Sequence, residues 1–154
     1  MTVTTAQFTS LAVRIRDIIA AGMLAAGVTD VTVYDHEPYD FDPTCAITID
    51  GPDFQRRGVD DADSQLGTRD WLLDWTVRVY VRDDDQEYPV QKLREVTAIL
   101  IATIDNDSTL KGTGVSPGVI DAVFQDGQQF SAAVGSAAIR TLGIECSLHV
   151  FQLT

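Results

Sequence analysis

Several residue types on which protein chemistry often depends are scarce in this chain. Its 154 residues include two histidines, His36 and His149, and two cysteines, Cys45 and Cys146. Two histidines do not make a histidine-rich metal site, and neither cysteine has a partner in a Cys-x-x-Cys pattern. Because the cysteines lie in apolar runs, we expect two small buried hydrophobic residues, and the sequence leaves a disulfide between them open.

Positive charge is also scarce. The chain has 11 lysine and arginine residues against 23 aspartate and glutamate residues, which is a formal net charge of −12. Such a chain repels the phosphate backbone of nucleic acids and anionic lipid surfaces, so neither is an expected binding partner. An acidic surface is compatible with a wall past which DNA slides without sticking.

Long apolar runs are absent as well. The stretch LAVRIRDIIAAGMLAAG near the N-terminus is interrupted by Arg14, Arg16 and Asp17, whereas a bilayer span needs about 20 consecutive apolar residues. We expect no secretory signal, no membrane span and synthesis in a cytoplasm. The length predicts a single domain over residues 1–154 that needs no metal or disulfide to hold its core.

The spacing of apolar residues predicts two helices and five strands. Helices are expected over residues 5–26 and about 87–105, and strands over residues 31–34, 45–50, 70–82, 119–124 and 139–151. Strict alternation in DWLLDWTVRVYVR indicates one buried and one wetter face, with Trp71 and Trp75 on the buried one. The order α-β-β-β-α-β-β predicts an α+β fold, in which two helices cover a mainly antiparallel sheet.

Two connections are predicted from local composition. Residues 51–69 have no periodicity, so we expect a long mobile loop there. Asp126-Gly127 predicts a turn after the fourth strand.

The segment STLKGTGVSPG, residues 108–118, contains part of a phosphate-loop pattern, Lys111-Gly112-Thr113-Gly114. In a phosphate loop the lysine follows the last glycine and the segment leads from a strand into a helix. Here the lysine comes first and the segment leads from a helix into a strand. No phosphate site is expected.

The same segment fits G-x-S-x-G, with Ser116 as nucleophile and Asp121 or Asp126, then His149, following in hydrolase order. A nucleophile elbow leads from a strand into a helix, however, and Pro117 removes a backbone N–H that an oxyanion hole uses. We therefore predict a non-enzymatic protein. A small serine hydrolase is the remote alternative.

Acidic clusters invite a metal interpretation. The stretch Asp61-x-Asp63-x-Gln65 begins like a calcium loop, but leucine occupies the positions that require glycine and glutamate. A second acidic group could bind a cation weakly, although a solvated loop is the better interpretation; it comprises Asp35, His36, Glu37, Asp40 and Asp42. No metal and no cofactor is expected.

The second half of the chain resembles a known family. A valine-rich strand, WTVRVYVR, and an acidic turn precede the helix KLREVTAILIATI, and a turn then runs from Asp107 through Leu110 to Gly112. The chain ends on a long strand, IECSLHVFQ. These segments resemble tail terminator and related tail-completion proteins of long-tailed, siphophage-type bacteriophages. That group shares the α-β-β-β-α-β-β order, and it often has proline where Ser108 stands here.

The resemblance implies a virion structural protein at the upper end of the tail. It implies a homo-oligomeric ring, hexameric in the family, that caps the tail tube and joins the head. Its partners would be the tail tube protein and a head-completion or neck protein, and genome DNA would pass through the lumen without specific binding. A head–tail connector or a tail-tube-like subunit is the alternative.

Basic residues are the candidate contacts to neighbouring subunits or partners: Arg56, Arg57, Arg69, Arg78, Arg82 and Lys111. Arg56-Arg57 either docks on an acidic neighbour or is an ordinary solvated pair. The long strands 70–82 and 139–151 are expected to pair or pack across subunits, and the loop 51–69 to become ordered against a neighbour.

Overall fold

The computed structural model of the chain describes residues 5–57, 70–83, 88–112 and 118–153. The elements are α1 (Thr5–Ala25), β1 (Thr32–Tyr34), β2 (Cys45–Arg57), β3 (Asp70–Arg82), α2 (Tyr88–Asn106), β4 (Val119–Val134) and β5 (Ile139–Leu153). Their order confirms the predicted α+β class and the predicted sequence of helices and strands.

The five strands form one sheet in the order β1-β2-β3-β5-β4. The short β1 pairs parallel with β2, and every other neighbouring pair is antiparallel. Strands β3 and β5 lie inside the sheet, where each has a partner on both edges along its length. The expectation that residues 70–82 and 139–151 pair with another subunit is therefore wrong, because their backbone groups already pair within the chain.

Both helices pack on one face of the sheet. Alternate residues of β3 supply the centre of this core, and Trp75 is 1% exposed, which confirms its predicted place there. The helices meet where Gly22 of α1 approaches Thr103 of α2 so closely that a Cβ at residue 22 would overlap the threonine side chain. The best-buried side chains of this core include Ile15, Ile19, Met23, Ile47, Leu73, Trp75, Leu100 and Ile104.

A second, smaller cluster lies on the opposite face of the sheet. Ala46, Tyr80 and Val134 are buried there beneath the segment that joins β1 to β2, and Phe41 of that segment packs against Tyr80. Phe130 of β4 packs on the other side of Tyr80, directly over Gly143. The alternation in β3 predicts a wetter face here. The structure differs, because Phe41 and Phe130 cover Tyr80 on this face.

The predicted loop over residues 51–69 is wrong in its first part. Strand β2 continues to Arg57, and its pairing with β3 shifts between Asp50 and Asp53 before it resumes. Gly51, with a φ of 110°, absorbs this irregularity, so the Gly-Pro step makes a bulge rather than ending the strand. Residues 58–69 lie outside the described residues.

The turn predicted at Asp126-Gly127 is also wrong. Strand β4 runs through this dipeptide with one shift of register between Phe124 and Asp126. A strand at the edge of a sheet tolerates such a bulge, because the extra residue disturbs the pairing on one side only. The chain reverses instead over residues 135–138, where the N–H of Ala138 donates to the carbonyl of Gly135 at 3.1 Å.

Among the described residues, neither α1 nor α2 combines the length and hydrophobicity that a bilayer-spanning helix requires.

Candidate functional site

The turn after α2 is built around one carboxylate. Asp107 accepts hydrogen bonds from the backbone N–H of Lys111 at 3.0 Å and from that of Gly112 at 2.8 Å. The N–H of Leu110 donates to the backbone carbonyl of Asp107 at 2.9 Å. Leu110 and Gly112 take the left-handed conformation, with φ of 52° and 58°. This arrangement resembles a helix cap, and it accounts for the residue types at the three positions of the motif.

The turn is docked on helix α1. The side chain of Leu110 is fully buried and anchors the turn in the core. Arg14 of α1 donates to the carbonyl of Lys111 at 2.6 Å, and a Cβ on Gly112 would lie 3.4 Å from Ile18. The motif therefore joins the end of α2 to the side of α1, and its residues serve packing.

The hydrolase interpretation rests on residues that are not described. Ser116 and Pro117 belong to residues 113–117, which lie outside the described ranges. His149 lies on β5, and its Nε2 is 3.7 Å from Oδ1 of Asp74 on β3. The prediction that the protein is not an enzyme stays a prediction.

Arg78 is the centre of an ion-pair network on the face of the sheet opposite the helices. Its guanidinium contacts Glu145 at 2.9 Å, Glu37 at 2.8 Å and Asp50 at 3.6 Å. Burial lowers the pKa of Arg78, but the hydrogen bond to Glu145 and the charges of Glu37 and Glu145 outweigh it, so the pKa is raised. This candidate contact to a partner is thus engaged within the chain.

Glu37 also binds Tyr80, whose hydroxyl donates to the second oxygen of the same carboxylate. Burial, followed by this hydrogen bond, raises the pKa of Tyr80. The sequence offers no periodic signal for Glu37, because it lies in an irregular segment 41 residues from Arg78. The contact fixes residues 35–44 across the outer face of the sheet; we call these residues the strap.

Protein donors occupy the other carboxylates of the strap. Asp35 contacts His36 at 2.7 Å, Ser136 donates to Asp40 at 3.1 Å, and Asp42 accepts from both the N–H and the hydroxyl of Thr44. The hydrogen bonds from Thr44 lower the pKa of Asp42. Within the described ranges, no group of three or more His, Cys, Asp or Glu residues is placed to hold a metal ion.

The remaining basic candidates lie at the rim of the fold. Arg82 ends β3 and Lys111 lies in the turn after α2, and both side chains are exposed. Arg56 and Arg57 end β2, where their backbones pair with Trp71 and Asp70. Arg69 lies outside the described residues.

Cys45 and Cys146 carry free, buried thiols. This confirms the expectation of two small buried residues and excludes a disulfide between them. Burial raises the pKa of each thiol to about 11. Because only the thiolate is nucleophilic, we expect a soluble thiol reagent to label neither cysteine in the folded protein at pH 8. The same reagent should titrate two thiols in denaturant, and fast labelling of either thiol without denaturant would contradict the burial.

The sequence matches no protein-family model and no curated protein. Among solved structures, the chain is similar to one described as "Virion of native gene transfer agent (GTA) particle". The identity is 15%, the similarity covers 93% of this chain and 91% of that chain, and the TM-score is 0.46. A likeness at this level establishes neither a family nor a function.

Proposed function

We propose that this chain is a structural subunit of a phage-like virion, and specifically a tail terminator. In this role it forms a ring, hexameric by the resemblance, that caps the tail tube and presents the surface to which the head binds. The observation that carries the proposal is the order of elements, α-β-β-β-α-β-β. The tail-terminator group shares this order, and residues 70–151 also resemble that group segment by segment.

The turn motif that contributes to the resemblance has a structural role in this chain. Asp107 satisfies two backbone N–H groups, Leu110 is fully buried, and Gly112 takes a left-handed conformation. Each of these roles preserves the shape of the joint between α2 and α1. A motif of this kind suits a family of assembly subunits, because such proteins depend on shape and contact rather than on a reactive group.

The proposed partners are further copies of this chain, the tail tube protein and a head-completion or neck protein. Genome DNA passes through the centre of the ring without specific binding. The net charge of −12 agrees with that lumen, because an acidic wall repels the phosphate backbone. Arg82 and Lys111, both exposed, are candidate contacts to partners.

The position of the chain in the particle tests this proposal. Particles would be assembled with a histidine-tagged chain, labelled with nickel-coated gold and viewed by electron microscopy, with untagged particles as the control. A terminator predicts one cluster of gold at the upper end of the tail. Label along the whole tail would favour a tube-like subunit, label confined to the head side of the neck would favour a connector, and unlabelled particles would contradict a virion role.

A further inference from the structure

Strand β4 leaves one long edge of the sheet without a partner among the described strands. Natural proteins protect such edges with charges, prolines or bulges, because unpaired N–H and C=O groups can pair with another chain. In β4 the two charged residues, Asp121 and Asp126, and both register shifts lie in the first half. From Gly127 to Val134 the sequence GQQFSAAV has no charge and no proline, and it pairs regularly with β5.

Strand β2 carries the other open edge. Strand β1 covers it only at Ala46, Ile47 and Thr48, and no other described strand pairs with it over residues 49–57. Beyond the bulge at Gly51-Pro52, residues 53–57 of β2 pair regularly with β3 and leave their other edge open, and they match residues 126–130 of β4 in length. Phe54 lies in the β2 stretch with 60% of its surface exposed.

We propose that the β4 edge of one copy pairs antiparallel with the β2 edge of a second copy, with Arg57 opposite Asp126. Neighbouring strands from β2 through β3 and β5 to β4 alternate in direction. A second β2 placed antiparallel to β4 continues that alternation, so each copy adds four strands to one sheet. This contact is heterologous, and it closes into a ring when the rotation between copies closes.

Charge favours this pairing over the pairing of two β4 edges. Strand β4 contains Asp121 and Asp126 and no lysine or arginine, so a second β4 edge offers no positive charge to these aspartates. The β2 segment DFQRR, residues 53–57, has a net positive charge in a chain of net charge −12. This segment therefore offers the complementary charge, and the proposed register places Arg57 opposite Asp126 of a neighbour.

This interface rests on the proposed ring, and cross-linking tests it. Gln55 and Gln128 are both exposed, and the proposed register places them opposite each other. The chain with Gln55→Cys and Gln128→Cys, treated with a bis-maleimide, should give a ladder of covalent oligomers. The unsubstituted chain should give none, because Cys45 and Cys146 are buried. An equal mixture of the two single variants should give dimers and nothing larger.

Three outcomes overturn the interface in different ways. Cross-linked dimers from Gln128→Cys alone would mean that two β4 edges meet. A ring-sized native mass without a ladder would place the interface elsewhere and leave the proposed function standing. A wild-type chain that is monomeric at every concentration would overturn both.

Charge reversal provides an independent test. Asp126→Arg should abolish the oligomer, and adding Arg57→Asp to the same chain should restore it. Asp105→Arg is the matched control, because Asp105 is an exposed carboxylate on α2 and belongs to neither of the two paired strands. Failure of Arg57→Asp to restore assembly, or normal assembly by Asp126→Arg, would contradict the proposed pairing.

Discussion

Replacing Leu110 with alanine is expected to lower the free energy of unfolding by about 2–5 kcal/mol. Leu110 is fully buried beneath the turn that ends α2, where it belongs to the main hydrophobic core. Alanine keeps a Cβ at a φ of 52°, so any backbone strain is unchanged and the measured loss reports the cavity. Urea unfolding followed by circular dichroism measures it, with unchanged m-value as the sign that the folded state is otherwise the same.

Leu24→Ala is the matched control for this substitution. Leu24 lies on α1 with 69% of its surface exposed, so the same change of side chain should alter stability by less than about 0.5 kcal/mol. If Leu110→Ala and Leu24→Ala had equal small effects, the turn would not be the packed joint described above.

Replacing Arg78 with methionine is expected to lower the free energy of unfolding by about 1–3 kcal/mol, which lies between the values for exposed and for buried ion pairs. The substitution leaves Glu37, Asp50 and Glu145 close together without their shared cation, and repulsion between them should release the strap. The expected loss of stability is smaller than for breaking a fully buried ion pair. The reason is that the Glu145 side chain is half exposed and that of Asp50 is 59% exposed. Urea unfolding again measures the loss.

Neutralising the carboxylates distinguishes this network from simple loss of packing. In the Arg78→Met background, Glu37→Gln and Glu145→Gln remove the repulsion and should regain a large part of the lost stability. In the wild-type background the same two changes should destabilise the protein, because they remove favourable partners of Arg78. Equal effects in both backgrounds would show that the charges do not interact.

The elements with strong periodicity were predictable from the sequence. Strand β3 has the predicted bounds, and α1 and α2 differ from the prediction by about one residue at their ends. In these segments one apolar face must be buried, and that requirement alone selects the type of element. The anchor role of Leu110 was predictable for the same reason, since an apolar residue in a polar turn needs cover.

Contacts that depend on sequence-distant partners were not predictable. Gly51-Pro52 and Asp126-Gly127 have the composition of turns, yet both lie in long strands because a neighbouring strand continues alongside them. Glu37 lies in an irregular acidic segment, and nothing local indicates that Arg78 and Tyr80 bind it. Tertiary pairing overrides local turn propensity at these sites.

The sequence alone does not show which strands are free to pair with another subunit. The sequence identifies β3 and β5 as long strands with one polar face, which suggested that they meet other subunits. The sheet order places them inside and leaves β4 and the end of β2 at the edges. Strand order depends on pairings between distant segments, and periodicity within one strand does not encode it.

The mass of the purified full-length chain under native conditions tests the central claim most directly. Native mass spectrometry and light scattering over a range of concentrations would measure it, with the Asp126→Arg variant run alongside. A ring-forming terminator predicts a closed species of about six chain masses that binds purified tail tubes. A strictly monomeric chain that also fails to bind tails would contradict the account.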